Sequence, residues 1–188
     1  PTGVLDEAGN QVPWELCATM NNHWGYCNFD YDYKPASMII RKLVECVSKG
    51  GNMMMNVGPD ARGNIPPQSV AILKEIGRWM DLNSESVYGC GICSLPKPEW
   101  GRYTQKGDTI YAHVQETPLG ALPLTGIPPE KLESVHYLAN GSQVRPGYGW
   151  NTALYKDVSF VSFGQDPVFT YPLPDPVDTV LKIKLKDQ

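Results

Sequence analysis

Nothing in this 188-residue sequence concentrates positive charge. Sixteen Lys and Arg stand against 20 Asp and Glu, for a formal net charge of −4, and no basic cluster occurs. Phosphate recognition needs such a cluster, so nucleic acid is excluded as the main partner. No apolar stretch approaches the roughly 18 residues that cross a bilayer, and no membrane-spanning segment is expected. Cysteine is scarce and odd in number (Cys17, Cys27, Cys46, Cys90, Cys93). That does not read as a disulfide framework, and unpaired thiols lean toward a reducing cytoplasm, with secretion the alternative. Cys90 and Cys93 form a CxxC, but no second CxxC or paired His lies nearby, and His23, His113 and His136 are scattered. A four-ligand metal site is therefore not expected, and these are read as ordinary thiols. The sequence also starts at Pro1 without an initiator Met, as expected of the C-terminal part of a larger protein.

What is present is a globular composition. Gly and Pro number 18 and 17, but they come with five Trp, ten Tyr and 41% hydrophobic residues. A chain this long buries roughly 70% of its unfolded surface, enough for one large core or two small ones.

The pattern changes near residue 90. Trp14 to Met20 is a short apolar run suited to a buried strand. Pro35 then suits a first helical turn, and Ile40, Leu43, Val44 and Val47 follow at helical spacing until Gly50-Gly51 caps them. Asn52 to Val57 reads as a second strand. After a loop with Gly63 and Pro66-Pro67, Leu73, Ile76, Trp79 and Met80 mark one face of a second helix. The β-α-β-α order predicts a parallel sheet covered by helices. Past Gly91 the helical spacing gives way to short strands. They are Arg102 to Gln105 and Thr109 to Gln115 around Lys106-Gly107-Asp108, then Ser134 to Leu138, Val158 to Phe163, Val168 to Tyr171 and Thr179 to Leu185. Frequent turns and period-two alternation predict an antiparallel sandwich. The boundary falls at about 90–98, where Leu95-Pro96-Lys97-Pro98 reads as a linker, dividing the chain into 1–92 and 93–188. Two β-α units cannot close a parallel domain alone. The expected architecture is therefore α/β plus all-β: the last β/α units of a (β/α)8-like barrel followed by an antiparallel β-sandwich, with an upstream barrel segment as partner.

In such a barrel the loops after the strands build the site. The first, 21–33, reads NNHWGYCNFDYDY. Its rings (Trp24, Tyr26, Phe29, Tyr31, Tyr33) suit stacking on the C–H face of a sugar, and Asn21, Asn22, His23, Asp30 and Asp32 offer hydrogen bonds. The alternative is a loop pinned by aromatic packing. The second loop, 58–67, holds Asp60 in ordinary turn chemistry. Glu15 lies inside an apolar run, where burial would raise its pKa toward that of a general acid; the alternative is a structural Glu bonded to backbone or Arg. Its position early in the strand counts against the top face.

The series Trp14-Glu15-x-Cys17, Trp24-Gly25-Tyr26, Val47-Ser48-Lys49-Gly50-Gly51-Asn52, Asn56-Val57-Gly58-Pro59 and Gly63-x-Ile65-Pro66 resembles the C-terminal portion of family 29 α-L-fucosidases. So do Ile76-Gly77-x-Trp79 and Asn83-x-Glu85-x-Val87-Tyr88-Gly89. The similarity runs over roughly residues 12–90, and the rest corresponds in position to the family's β-sandwich. The resemblance implies a retaining exo-hydrolase of terminal α-L-fucose on fucosylated glycans, with one carboxylate as nucleophile and one as acid/base, and no metal or organic cofactor. In this family the nucleophilic Asp lies upstream of these residues. Glu15 matches a Glu that is acid/base in part of the family, and Trp24 matches an aromatic that packs on fucose. Trp14, His23 and Tyr26 complete the substrate-binding candidates. The chain alone is expected to be inactive. The competing expectation is a non-catalytic module that binds carbohydrate or packs a barrel.

Overall fold

The computed structural model describes residues 3–166 and 169–186. Its first part is a parallel pair, β1 (Glu15–Thr19) and β2 (Asn52–Asn56), each strand followed by a helix: α1 (Ala36–Ser48) and α2 (Pro67–Asn83). Local chemistry sets these bounds. Pro35 is the extended residue before α1, where its fixed φ and missing N–H cost nothing. At the other end Gly50 has φ 71°. The Gly50 N–H bonds to the Val47 carbonyl and the Gly51 N–H to that of Cys46, the paired arrangement that a left-handed residue after a helix permits. Gly51 has a second duty, since a Cβ there would run into the Trp14 indole.

The second part is two antiparallel sheets. One has the order β3 (Gly101–Lys106), β4 (Thr109–Val114), β9 (Thr179–Leu185), β6 (Leu132–Tyr137). The other has β5 (Leu122–Thr125), β8 (Val158–Ser162), β7 (Arg145–Pro146). β3 and β4 are joined by Gly107-Asp108 with Gly107 at φ 56°, as the sequence indicated. The four-stranded sheet is covered on both faces. Ile110, Ala112, Leu181 and Ile183 enter the core shared with Leu122, Leu124 and Val161 of the second sheet. Tyr111 and Val180, one position out of phase, turn instead to Ile40, Val44, Val47 and Trp79 of the helices. The helices thus lie between the parallel pair and the sandwich, and their apolar cluster includes residues from both sides of position 92.

Polar links fasten this junction. Arg41 donates to the carbonyls of Val177 (2.9 Å), Pro176 (3.0 Å) and Gln115 (3.1 Å), and the Trp79 indole to that of Asp178 (3.3 Å). Behind them is a buried relay. Thr104 donates to the Ser86 carbonyl, its Oγ1 lies 3.1 Å from His113 Nε2, and His113 Nδ1 lies 2.7 Å from Asp178 Oδ2.

Several expectations change. Leu73 is 38% exposed, so the buried face of α2 is set by Trp79, with Ile76 and Met80 half-buried beside it. Of the strand expected over Val168–Tyr171, Val168 lies outside the described residues and 169–171 form no strand. β5 and β7 were not anticipated, and each carries a proline, Pro123 and Pro146. Both tolerate Pro because they are the edge strands of their sheet. All five cysteines carry free thiols, and burial pushes those of Cys46, Cys90 and Cys93 up. Among the described residues, no helix is long and apolar enough to cross a membrane.

Candidate active site

Loop 21–33 follows β1, and loop 57–66 follows β2, so parallel pairing puts both at the same end of the sheet. There they touch: Gly58, at φ 54°, lies against the Gly25 backbone. The strand ends fasten the first loop. Thr19 and Asn56 are register partners. Asn56 Nδ2 donates to Thr19 Oγ1 (3.1 Å) and to the Trp24 carbonyl (2.6 Å), and Thr19 Oγ1 donates to the His23 carbonyl (3.0 Å). Lys34 reaches back to the Asn21 carbonyl at 2.7 Å.

The centre of the loop is Asp30. Its carboxylate accepts from the Asn22 N–H (2.8 Å) and the Asp32 N–H (3.2 Å), and Oδ2 lies 2.7 Å from His23 Nδ1. The His23 contact above all, then these N–H groups, hold the Asp30 carboxyl below the usual carboxylate range. The carboxylate is buried while the imidazole is 58% exposed, so His23 presents a fixed ring to solvent. The rings beside it are exposed too: Trp24 by 56%, Tyr31 by 72% and Phe29 by 86%, with Tyr26 half out. Tyr33 alone of the five rings is half-buried. Polar side chains hold the loop, and the other four rings are displayed.

Asp60 is the turn residue the sequence indicated. It accepts from the N–H groups of Arg62 and Asn64 (both 2.8 Å) and from Asn64 Nδ2 (3.1 Å). Those bonds, the Asn64 side chain first, lower its carboxyl.

The predicted site residues are not all brought together. His23, Trp24 and Tyr26 share the loop. Trp14 and Glu15 sit at the opposite end of β1, about 13 Å from Thr19 at ~3.3 Å per strand residue. Trp14 is engaged there, its indole donating to the Lys49 carbonyl at 3.1 Å. The expected burial of Glu15 is overturned. Glu15, Cys17, Asn52 and Met54 line the face of β1 and β2 turned from the helices, and all four are exposed. Leu16, Ala18, Met53 and Met55 alternate with them and are half-buried. Glu15 accepts from the Cys17 thiol, 3.8 Å away. No group of three or more His, Cys, Asp or Glu among the described residues could hold a metal ion. The bracing Thr19–Asn56 pair escaped sequence reasoning, since only the register sets the two side by side.

Comparison with known proteins gives a consistent picture. The family model described as α-L-fucosidase matches residues 4–85. An α-L-fucosidase of Dictyostelium discoideum is 39% identical over 110 residues, covering 56% of this chain and 24% of that protein. Human tissue α-L-fucosidase is 35% identical over 109 residues, covering 53% and 22%. The chain therefore spans about a quarter of the length of these relatives. Among solved structures, α-L-fucosidase isoenzyme 1 from Paenibacillus thiaminolyticus superposes with a TM-score of 0.92 at 45% identity, over 100% of this chain and 43% of that one. A GH29 α-L-fucosidase from Bacteroides thetaiotaomicron, captured as a trapped covalent intermediate with 2-fluoro-fucosyl fluoride, gives 0.80 at 29%, over 100% and 41%. The relatives are glycoside hydrolases, and over residues 4–85 this chain is similar to the α-L-fucosidase family.

Proposed function

We propose that the chain is the C-terminal part of a retaining exo-α-L-fucosidase acting on fucosylated glycans. In this reading residues 1–92 are the last β/α units of a (β/α)8-like barrel, and 93–188 are its sandwich. The exposed face of β1 and β2 turns to the barrel interior, where the upstream barrel segment completes it. The observation that carries the proposal is loop 21–33. It stands where the active-site loops of a barrel stand, and it displays Trp24, Tyr26 and a braced His23 instead of burying them.

The roles follow from this placement. Trp24 stacks on the apolar side of fucose and His23 bonds its hydroxyls, aligned by Asp30. A carboxylate from the upstream barrel attacks the anomeric carbon, the C–O bond to the leaving sugar breaks, and an acid donates a proton to that oxygen. The conjugate base then takes a proton from water, which displaces the enzyme carboxylate and releases fucose. Glu15 remains the acid/base candidate on the resemblance alone, since it lies on the open face but at the far end of β1 from this loop. Asp30 and Asp60 are committed to their loops, and a retaining pair must stand about 5–5.5 Å apart. The 188 residues alone then do not hydrolyse fucosides.

A chimera tests this. The corresponding segment of the P. thiaminolyticus enzyme is replaced by this chain, and turnover of an aryl α-L-fucoside and of a natural fucosylated oligosaccharide is followed. Hydrolysis of both is expected; a folded chimera that hydrolyses neither sinks the proposal. Within the chimera, Glu15→Gln should impair the natural substrate more than the activated aryl fucoside. Equal loss on both makes Glu15 structural, in keeping with its distance from the loop.

A second reading has one observation in its favour. A cleft of about 530 Å³ opens between the two sheets beside Tyr148 and Phe160, with Gln143 and Thr152 on its rim. As a carbohydrate-binding module, the sandwich would take sugar there. Resonance shifts at Tyr148 on adding glycans, with none in loop 21–33, would favour it over the enzyme reading.

A further inference from the structure

We propose that the cleft between loops 21–33 and 57–66 is a binding subsite for a neutral sugar residue, the one bearing the fucose, and that it rejects acidic sugars. This rests on the fucosidase reading above and adds a second subsite and a charge preference to it. The cleft holds about 270 Å³, room for one pyranose ring. Tyr26, Tyr31 and Tyr33 supply ring faces, and the amides of Asn28, Asn64 and Gln68 supply hydrogen-bonding groups. That mixture of aromatic surface and short neutral polar groups suits a polyhydroxylated ring, which is apolar on its C–H faces and polar round its edge. The cleft is also preformed. Asp30 ties down one wall and Asp60 the other, each through three or more hydrogen bonds to its own loop, so a ligand need not order either wall. Asp30 links it to the fucose-binding candidates, lining the cleft while its Oδ2 holds His23 on the other side.

The charge preference comes from the same residues. Asp30 and Asp60 are the charged groups of the lining, and no Lys or Arg is among it. Their hydrogen bonds keep both ionised through neutral and mildly acidic pH. Two basic residues in or beside these loops make other contacts: Lys34 bonds the Asn21 carbonyl, and Arg62 donates its backbone N–H to Asp60. A carboxylated or sulfated sugar would enter a field of like charge with no Lys or Arg in the lining to offset it.

Titrating isotope-labelled protein with methyl β-galactoside, N-acetylglucosamine and glucuronate, and separately with L-fucose, tests this by amide shifts. The neutral sugars should move resonances of Asn28, Asn64 and Gln68. Glucuronate should bind at least about tenfold more weakly, a gap that narrows as salt is added. Tyr31→Ala and Gln68→Ala, both at exposed positions, should weaken the neutral sugars without altering the melting temperature. Glucuronate binding as well as the neutral sugars would overturn the charge preference. Neutral sugars leaving the cleft unmoved while fucose shifts Trp24 would overturn the subsite alone. Cleft shifts with no response of His23 or Trp24 to fucose would uphold the cleft as a sugar site and count against the fucose reading on which its role was built.

Discussion

His23 and His113 each hold Nδ1 2.7 Å from an aspartate Oδ2, yet the His23 side chain is 58% exposed while His113 and Asp178 are wholly buried. The surroundings give the same contact different uses. Thr104 commits its one proton to the Ser86 carbonyl, so His113 Nε2 must be the donor toward Thr104. With Nε2 protonated, the His113–Asp178 bond carries one further proton between ring and carboxyl, and the pair is neutral as a unit. That is the form in which such groups survive burial. The Asp178 Oδ1 has no partner among the described residues, which makes the relay a junction held at some cost. At His23 only the carboxylate is buried, and the ring's outer edge is left open to solvent. One pair joins the helices to the sandwich; the other aims a side chain.

The largest test of this contrast is Asp178→Asn. It strands His113 in a dry site and should cost about 3–5 kcal/mol in chemical denaturation. Replacing both members by leucine should recover much of that loss. A cost below about 1 kcal/mol for the single change would mean that the buried pair is not the structural one. Acid comes next. Lys42, Lys49 and Arg102 surround Glu45, and the first two bonds hold its carboxyl down at about 2. Because the folded value is depressed, the contribution is complete above pH ~5 and fades as pH falls toward 2. Glu45→Gln should flatten that limb of the stability–pH curve by about 1 kcal/mol or less, given solvent screening. An unchanged limb would assign acid unfolding to other carboxylates. Asp30→Asn should then shift global stability less than Asp178→Asn, while amide exchange across 21–32 rises and fucose binding falls. Equal global losses would erase the distinction between the pairs. Smallest in stability is Trp24→Ala, at a half-exposed ring. The melting temperature should stay put while KM for an aryl fucoside rises in the chimera.

Much of this was legible in the residues. The parallel pair, both helices and the Gly107 hairpin follow from period, Pro and Gly placement, all of which act over a few neighbours. The double-sided burial of β4 was not, since alternation marks one face and cannot say that a helix layer covers the other. Glu15 misled for a related reason: an apolar run predicts burial on both faces, and here one face of the pair is open. The loop aromatics were found but their exposure was not, because composition does not tell a displayed ring from a packed one. The brace formed by Asp30, Thr19 and Asn56 arises from register and loop closure, which join residues up to 37 positions apart.

The central claim is that loop 21–33 of this chain serves as the sugar-binding loop of a fucosidase. Its most direct measurement is kcat/KM for an aryl α-L-fucoside in the chimera, with and without Trp24→Ala and Asp30→Asn. The account predicts measurable hydrolysis that drops in both variants, through KM for Trp24→Ala. A folded chimera that is inactive, or one whose kcat/KM is indifferent to both substitutions, would contradict it.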